Sequence, residues 1–416
     1  MLAGATAAAD YRASAENYRD FLRRLQPGDR LLLESGDYRL GLPLNNVSGR
    51  ADQPIIIEAA NPAAPPRFIA RPGANTVSLV NVRYLVLRHL ELDGRNVPVD
   101  AVKAEGHSRF ADFITLDHLF IHDHAASQQN VGISTKCPAF GWVVKGNRIE
   151  RVGTGMYFGD SDGSDPFVAG VIEDNRVMDT LGYNLQIKHQ TARPTDMPEL
   201  DKQHDTLIRR NHFSKEGAFS GTYPRPNALF GHFPVSGAGQ DDRYIVYNNA
   251  FVQNPNEALL QAEGNVIVFA NLFVNRYGDA IHVQPHNHVP KAVYIFNNTV
   301  IAEGEGIAIR NREPPIWPQK VFANAVFSGS PLLGGHAVGN LLGNYDEAAR
   351  FLRAPYKAEF EMDPSPIRVM RYRDIQAWPA LPFEPSGLDG NPLVPGEIGA
   401  VTSASAGKVR LPGVRP

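Results

Sequence analysis

The sequence predicts an all-β fold: a single-stranded right-handed parallel β-helix with an N-terminal capping helix. Three observations carry this. First, a short motif recurs at Asn147-Arg148-Ile149, Asn175-Arg176-Val177, Asn211-His212-Phe213, Asn249-Ala250-Phe251, Asn271-Leu272-Phe273, Asn298-Thr299-Val300 and Asn324-Ala325-Val326. Second, the steps between these asparagines are 28, 36, 38, 22, 27 and 26 residues, a period that belongs to solenoids. Third, each rung is a strand of four or five residues, rich in Val, Ile and Phe with apolar groups on alternate positions, too short for a helical repeat. Equivalent positions on successive coils stack about 4.8 Å apart, so a buried Asn can donate its side-chain amide to the Asn carbonyl of the next coil. The asparagines are therefore read as architecture. His89 and His118 extend the ladder backwards in two steps of 29.

The elements follow in chain order. Residues 1–9 are small and apolar and end in an A-x-A pattern, which reads as the remnant of a secretory signal and predicts a periplasmic or secreted protein. From Ser14 to Leu25, an amphipathic run with Tyr18, Phe21, Leu22 and Leu25 on one face predicts a helix that caps the open end of the first coil. The solenoid domain spans 10–344. From 345 to 416 the ladder is lost and proline is frequent, as expected of a tail that closes the helix or packs along its outside.

Composition narrows the partners. Lys plus Arg total 41 against 44 for Asp plus Glu, and a net charge of -3 gives no field that demands nucleic acid. No segment approaches the length of a membrane span. Cys137 is the single cysteine, which excludes an internal disulfide or a thiolate metal cluster and predicts a buried structural thiol.

A second column orients side chains. Five-residue strands at 132–136, 155–159, 184–188, 228–232, 258–262, 280–284 and 306–310 place Ile133, Met156, Leu185, Leu229, Leu259, Ile281 and Ile307 inward. Tyr157, Gln186, Lys188, Phe230, His232, His282 and Gln284 then face outward. Aromatics mixed with cations and amides suit a sugar chain. His189 and Glu263 lie just beyond these strands, while Arg193, Tyr223 and Arg225 fall in the longest inter-coil loops, where binding groups concentrate.

Leu25-Gln26-Pro27-Gly28-Asp29-Arg30-Leu31-Leu32-Leu33-Glu34-Ser35-Gly36-Asp37-Tyr38, Pro54-Ile55-Ile56-Ile57-Glu58-Ala59-Ala60-Asn61-Pro62 and Asn184-Leu185-Gln186-Ile187-Lys188 resemble polysaccharide lyase family six, the alginate lyase and chondroitinase B group. The resemblance implies a pectate-lyase-like solenoid and an enzyme that cleaves an acidic, uronate-containing polysaccharide by β-elimination. It implies Lys188 as the base. The family's arginine, one coil later in the same column, falls on His232 here, and the acidic pair that helps bind calcium in some members falls near Leu181 and Tyr183.

The chemistry needs neutralisation of a sugar carboxylate, a base and an acid for the leaving oxygen. Lys188 and His232 are the expected catalytic residues, and Tyr157, Gln186, His189, Arg193, Tyr223, Arg225, Phe230, Glu263, His282 and Gln284 the expected substrate contacts. No cofactor is required. Asp160, Asp162 and Asp165, alternating around Gly163, are a candidate Ca2+ loop, although their order departs from the EF-hand pattern. The same aspartates with Glu263 also suit a glycoside hydrolase. A uronate epimerase in the same groove and a non-catalytic carbohydrate-binding surface protein fit the outward face as well.

Overall fold

The structure is a computed structural model that describes residues 8–217, 223–357, 363–366, 378–405 and 411. Parallel strands wind into a right-handed β-helix with three faces. On the first face Ile57, Leu87, Leu116, Val144, Ile172, Ile208, Val246, Val268, Ile295 and Val321 stack one above another, all fully buried. The second face supplies Leu92, Ile121, Ile149, Val177, Phe213, Phe251, Phe273, Val300 and Val326. The third supplies Ile133, Met156, Leu185, Ala228, Leu260, Ile281 and Ile307. Each large apolar side chain among them stabilises the coil by about 1.5–3 kcal/mol. The three columns converge on one continuous core.

The asparagine ladder forms the corner between the first and second faces. The side-chain amides run Asn147 to Asn175 (2.9 Å), Asn175 to Asn211 (2.9 Å), Asn211 to Asn249 (3.0 Å), and on through Asn271, Asn298 and Asn324 to Asn340. Every rung turns the same way because the preceding residue is left-handed: Gly146, Asp174, Arg210, Asn248, Ala270, Asn297, Ala323 and Gly339 all have φ between 49° and 64°. His89 and His118 take that left-handed position, at φ 56° and 53°. They are therefore one residue short of the ladder. After His118 the slot is filled by Leu119, with its N–H on Asn147 Oδ1 at 2.8 Å. The two imidazoles instead lie against each other, tilted, with ring centroids 5.3 Å apart.

The capping helix shrinks to one turn, Arg19–Leu22, after a strand Asp10–Ala13 that pairs with Arg30–Leu33. So short a helix has no stability of its own and is held by packing. Tyr18 nevertheless plugs the open end, edge-on to Tyr38 and Phe68. At the other end, Leu388, Ala400, Val401 and Leu411 lie against the outside of the second face, and Leu393, Phe383 and Trp378 lie against the stacked Tyr247, Phe269, Phe296 and Phe322 of the first. Cys137 is buried, and burial pushes its thiol up to about 12. Residues 1–7, on which the signal reading chiefly rests, lie outside the described residues.

Candidate functional site

The third face carries the site, and its register differs from the sequence reading by one residue at two coils. Leu185 pairs with Ala228 and Ile187 with Phe230. Ala228 pairs with Leu260 and Phe230 with Ala262. Ala228 and Leu260 therefore point inward, and the outward column reads Ser134, Tyr157, Gln186, Leu229, Gln261, His282 and Ala308. Phe230, expected on the surface, is fully buried and stacks on Tyr244 at 5.2 Å. A large inward Phe230 fills the core, so a small Ala228 suffices beside it. Leu229 is left partly exposed, the reverse of the parity that hydrophobicity suggests.

The column containing Lys188 is corrected in the same way. It runs Lys136, Gly159, Lys188, Gly231, Glu263, Gln284 and Arg310, held coil to coil by backbone hydrogen bonds from Gly159 onward and by the Gly159 N–H on Thr135 Oγ1 at the first step. The slot one coil after Lys188 thus holds Gly231, not His232. A Cβ on Gly231 would lie 2.2 Å from the His189 nitrogen, so the coils are too close there for any side chain. His232 sits one position further on, beside His189 with ring centroids 5.6 Å apart and beside His288 at 5.4 Å. Its Nδ1 lies 2.6 Å from the Phe233 carbonyl.

Lys188 opens into a cleft of about 230 Å³ walled by Tyr183, Arg225, Glu257, Leu229 and His286, with Gln186, Gln261 and Gln284 on its floor. His189 and Glu263 border it as well. Burial holds the Lys188 ammonium below the usual lysine range, against the opposing pull of Glu263 and Asp160. His189 is lowered by burial, then by Lys188 and His232. The phenol of Tyr183 is raised by burial, with Arg225 opposing. The Arg225 guanidinium lies 5.8 Å from the Tyr183 ring centroid.

Other expected contacts have different work. Glu263 is almost fully buried and accepts the backbone N–H groups of His232 (2.8 Å), His286 (2.9 Å), His288 (3.2 Å) and Asn287, tying two loops together. Arg193 is buried in an ion pair with Asp242 and donates to the Leu200 and Lys202 carbonyls, which pins the long loop after His189 and removes the guanidinium from the cleft. Tyr223 is exposed and lies off the cleft lining. Tyr157 lies one coil upstream of Gln186, with the Lys136 ammonium 3.4 Å from its ring centroid. His282 faces Glu305 and Asp279, away from Lys188.

The Asp160 turn is internally hydrogen-bonded. Asp160 Oδ1 accepts the N–H of Gly163 (3.1 Å) and Asp165 (3.2 Å), and Asp162 Oδ1 accepts that of Ser164 (2.9 Å). Asp165 is raised to about 6 by burial, then by Asp160 and Asp162. These bonds define a capped polar turn. Among the described residues, Asp160, Asp162 and Asp165 do not bring three ligand atoms together as two other clusters do.

Sequence reasoning missed Lys136, Lys215, Tyr183, Glu257 and Gln261. Lys136, brought down to about 8 by burial with Lys103 adding to the effect, stands in the Lys188 column two coils earlier. Lys215 is wholly buried, brought down to about 8 by burial, and its Nζ donates to the Arg225 carbonyl at 3.0 Å. Correct register would have exposed Gln261. No sequence signal marks Lys215, whose role depends on where the 223–227 loop returns.

The sequence matches no protein-family model and no curated protein. Among solved structures, the chain is similar to the GH136 lacto-N-biosidase from Eubacterium ramulus, with a TM-score of 0.51, 15% identity, and coverage of 81% of this chain and 68% of that one. A mutant of the PL6 family alginate lyase AlyGC gives a TM-score of 0.50 and 13% identity over 80% of this chain and 51% of that one. The PL6 family polysaccharide lyase Pedsa3628 from Pseudopedobacter saltans gives 0.49 and 11% over 81% and 93%. At these identities the likeness is one of fold, and the fold is the right-handed parallel β-helix that polysaccharide lyases of family six share.

Proposed function

We propose that this protein is a carbohydrate-active enzyme that cleaves a uronate-containing polysaccharide by β-elimination, with Lys188 as the base. The observation that carries the reading is a half-buried lysine whose amine is shifted down, opening into a cleft that also holds Arg225 and the amides of Gln186, Gln261, Gln284 and Asn287. Arg225 is placed to meet a sugar carboxylate bidentately. Neutralising that carboxylate acidifies the proton on the adjacent carbon, which the deprotonated Lys188 amine takes. Tyr183, whose raised phenol stays protonated, gives its proton to the leaving oxygen. His232 serves from the rim by fixing His189. No step is routed through Ca2+. From the small apolar run at residues 1–9 we also propose export to the periplasm or beyond, which mass spectrometry of the mature protein tests.

A second reading, glycoside hydrolysis, is favoured by one observation: Glu257 and Glu263 border the same cleft. The four backbone N–H groups on Glu263 commit its oxygens to holding two loops together, which favours elimination. Screening alginate, pectate, glycosaminoglycans and neutral glycans separates the two. Elimination releases an unsaturated product that absorbs in the near ultraviolet, whereas hydrolysis yields reducing ends without it. Lys188→Ala is expected to lower turnover by about 10³-fold without loss of fold. Full activity in that variant would end the assignment of the base.

A further inference from the structure

Three coils downstream of Lys188 a second cluster faces outward. His282 has only 7% of its surface exposed, and its Nε2 has no hydrogen-bond partner. That nitrogen nevertheless lies 3.0 Å from Glu305 Oε2 and 3.4 Å from Asp279 Oδ2. The oxygens are close enough to accept a proton but stand off the axis on which the ring nitrogen would donate it. Ligands of a common cation show this arrangement, because each points at the ion and not at its neighbour. For bonds of about 2.0–2.1 Å, the edge of a tetrahedral shell is about 3.3–3.4 Å and that of an octahedral one about 2.9–3.0 Å. The two observed separations lie within the range that these two shells span.

The supports of the cluster are fixed in advance. Asp279 Oδ1 accepts the Glu305 N–H at 2.7 Å, and the Asp279 carbonyl accepts the Asn275 amide at 2.9 Å. A Cβ on Gly304 would lie 2.1 Å from Asp279 Oδ1, so only glycine gives that carboxylate its seat. Arg310 donates to the same Glu305 Oε2, offsetting one of the two negative charges and leaving that oxygen a second lone pair for the ion. The other cluster of this kind, Asp93, His122 and Asp123, differs: His122 Nδ1 is paired with Asp123 at 2.7 Å and Nε2 with Glu91 at 3.3 Å.

We propose that Asp279, His282 and Glu305 bind a divalent transition-metal cation of the zinc class. One imidazole nitrogen with two carboxylate oxygens suits that class better than calcium or magnesium, which take oxygen ligands. The site is separate from the Lys188 cleft and stands whether or not the chain is a lyase.

Chelator-treated full-length protein titrated with Co2+ tests it by visible absorption and calorimetry, with Zn2+ as competitor. The expected result is a stoichiometric cobalt band that zinc displaces. Asp279→Asn and His282→Gln should each weaken binding by about tenfold or more, while circular dichroism keeps the native spectrum. Absence of stoichiometric binding overturns the site. So does binding that His282→Gln leaves intact and His122→Ala removes, which would assign the ion to the other cluster.

Discussion

The asparagine corner and the cleft face are built from the same coils and could hardly differ more. At the corner every rung from Asn147 to Asn340 repeats the same residue and the same left-handed turn, and each asparagine is bonded by the coil next to it. Asn249 alone makes side-chain bonds to Asn271, Ile208 and Tyr247 and accepts from the backbone and amide of Asn211. In the Lys188 column of the cleft face no residue carries over from one rung to the next. Successive rungs carry Lys136, Gly159, Lys188, Gly231, Glu263 and Gln284, and burial holds the two lysines below the usual lysine range. Repetition in a solenoid marks what holds it together, and departure from repetition marks where it can act on something else.

Four measurements sharpen or break that contrast. The largest effect is expected at Arg193. Arg193→Ala leaves Asp242 buried without its partner and should cost about 3–5 kcal/mol in urea unfolding. Arg225→Ala, from the neighbouring long loop, should raise KM with stability nearly unchanged. If the two arginines behave alike, the division between a pinned loop and a substrate contact fails. Next comes the ladder itself: Asn249→Ala strands several buried backbone groups and should destabilise by about 3 kcal/mol while leaving the cleft chemistry in place. Equal loss of activity in a still-folded variant would mean that the corner is not purely architectural.

The third is a pH profile. Lys188 must be neutral to act as base, so kcat/KM should climb about tenfold per pH unit and level off below the usual lysine range, because burial has moved the amine down. A rise that continues to the ordinary lysine value would show that the cleft does not desolvate it. The smallest concerns Asp165. Its folded pKa, about 6, lies above the unfolded value, so the protonated form is favoured by folding. Its contribution is fully present below the unfolded value and is lost as pH rises through the folded one. Asp165→Asn should therefore stabilise the protein by about 1 kcal/mol at pH 7, once partial exposure is discounted, and by nothing near pH 4. The same gain at both pH values would trace the effect to something other than charge.

The sequence and the structure agree where a side chain is repeated. The coils and the Asn ladder are legible because each position is tested many times over. Agreement ends where a single strand carries the signal. Ala228-Leu229-Phe230 and Ala258-Leu259-Leu260 offer apolar groups at consecutive positions, so their parity is ambiguous, and alternation alone puts Phe230 outside and His232 beside Lys188. The N-terminal helix is shorter than its pattern suggests because amphipathic spacing also fits a turn with apolar groups on one side.

By itself the sequence determined the period, the fold class and the face on which Lys188 lies, because stacking forces equivalent residues into line about every 4.8 Å. Only the tertiary structure decided which groups meet there. Arg193 and Arg225 look equivalent along the chain, yet one is neutralised inside a loop and the other borders the cleft. Asp279, His282 and Glu305 lie 26 residues or fewer apart, but their approach depends on how two loops close over Gly304. Loops of variable length return to the helix at places that no repeat encodes, and that return sets their side-chain partners.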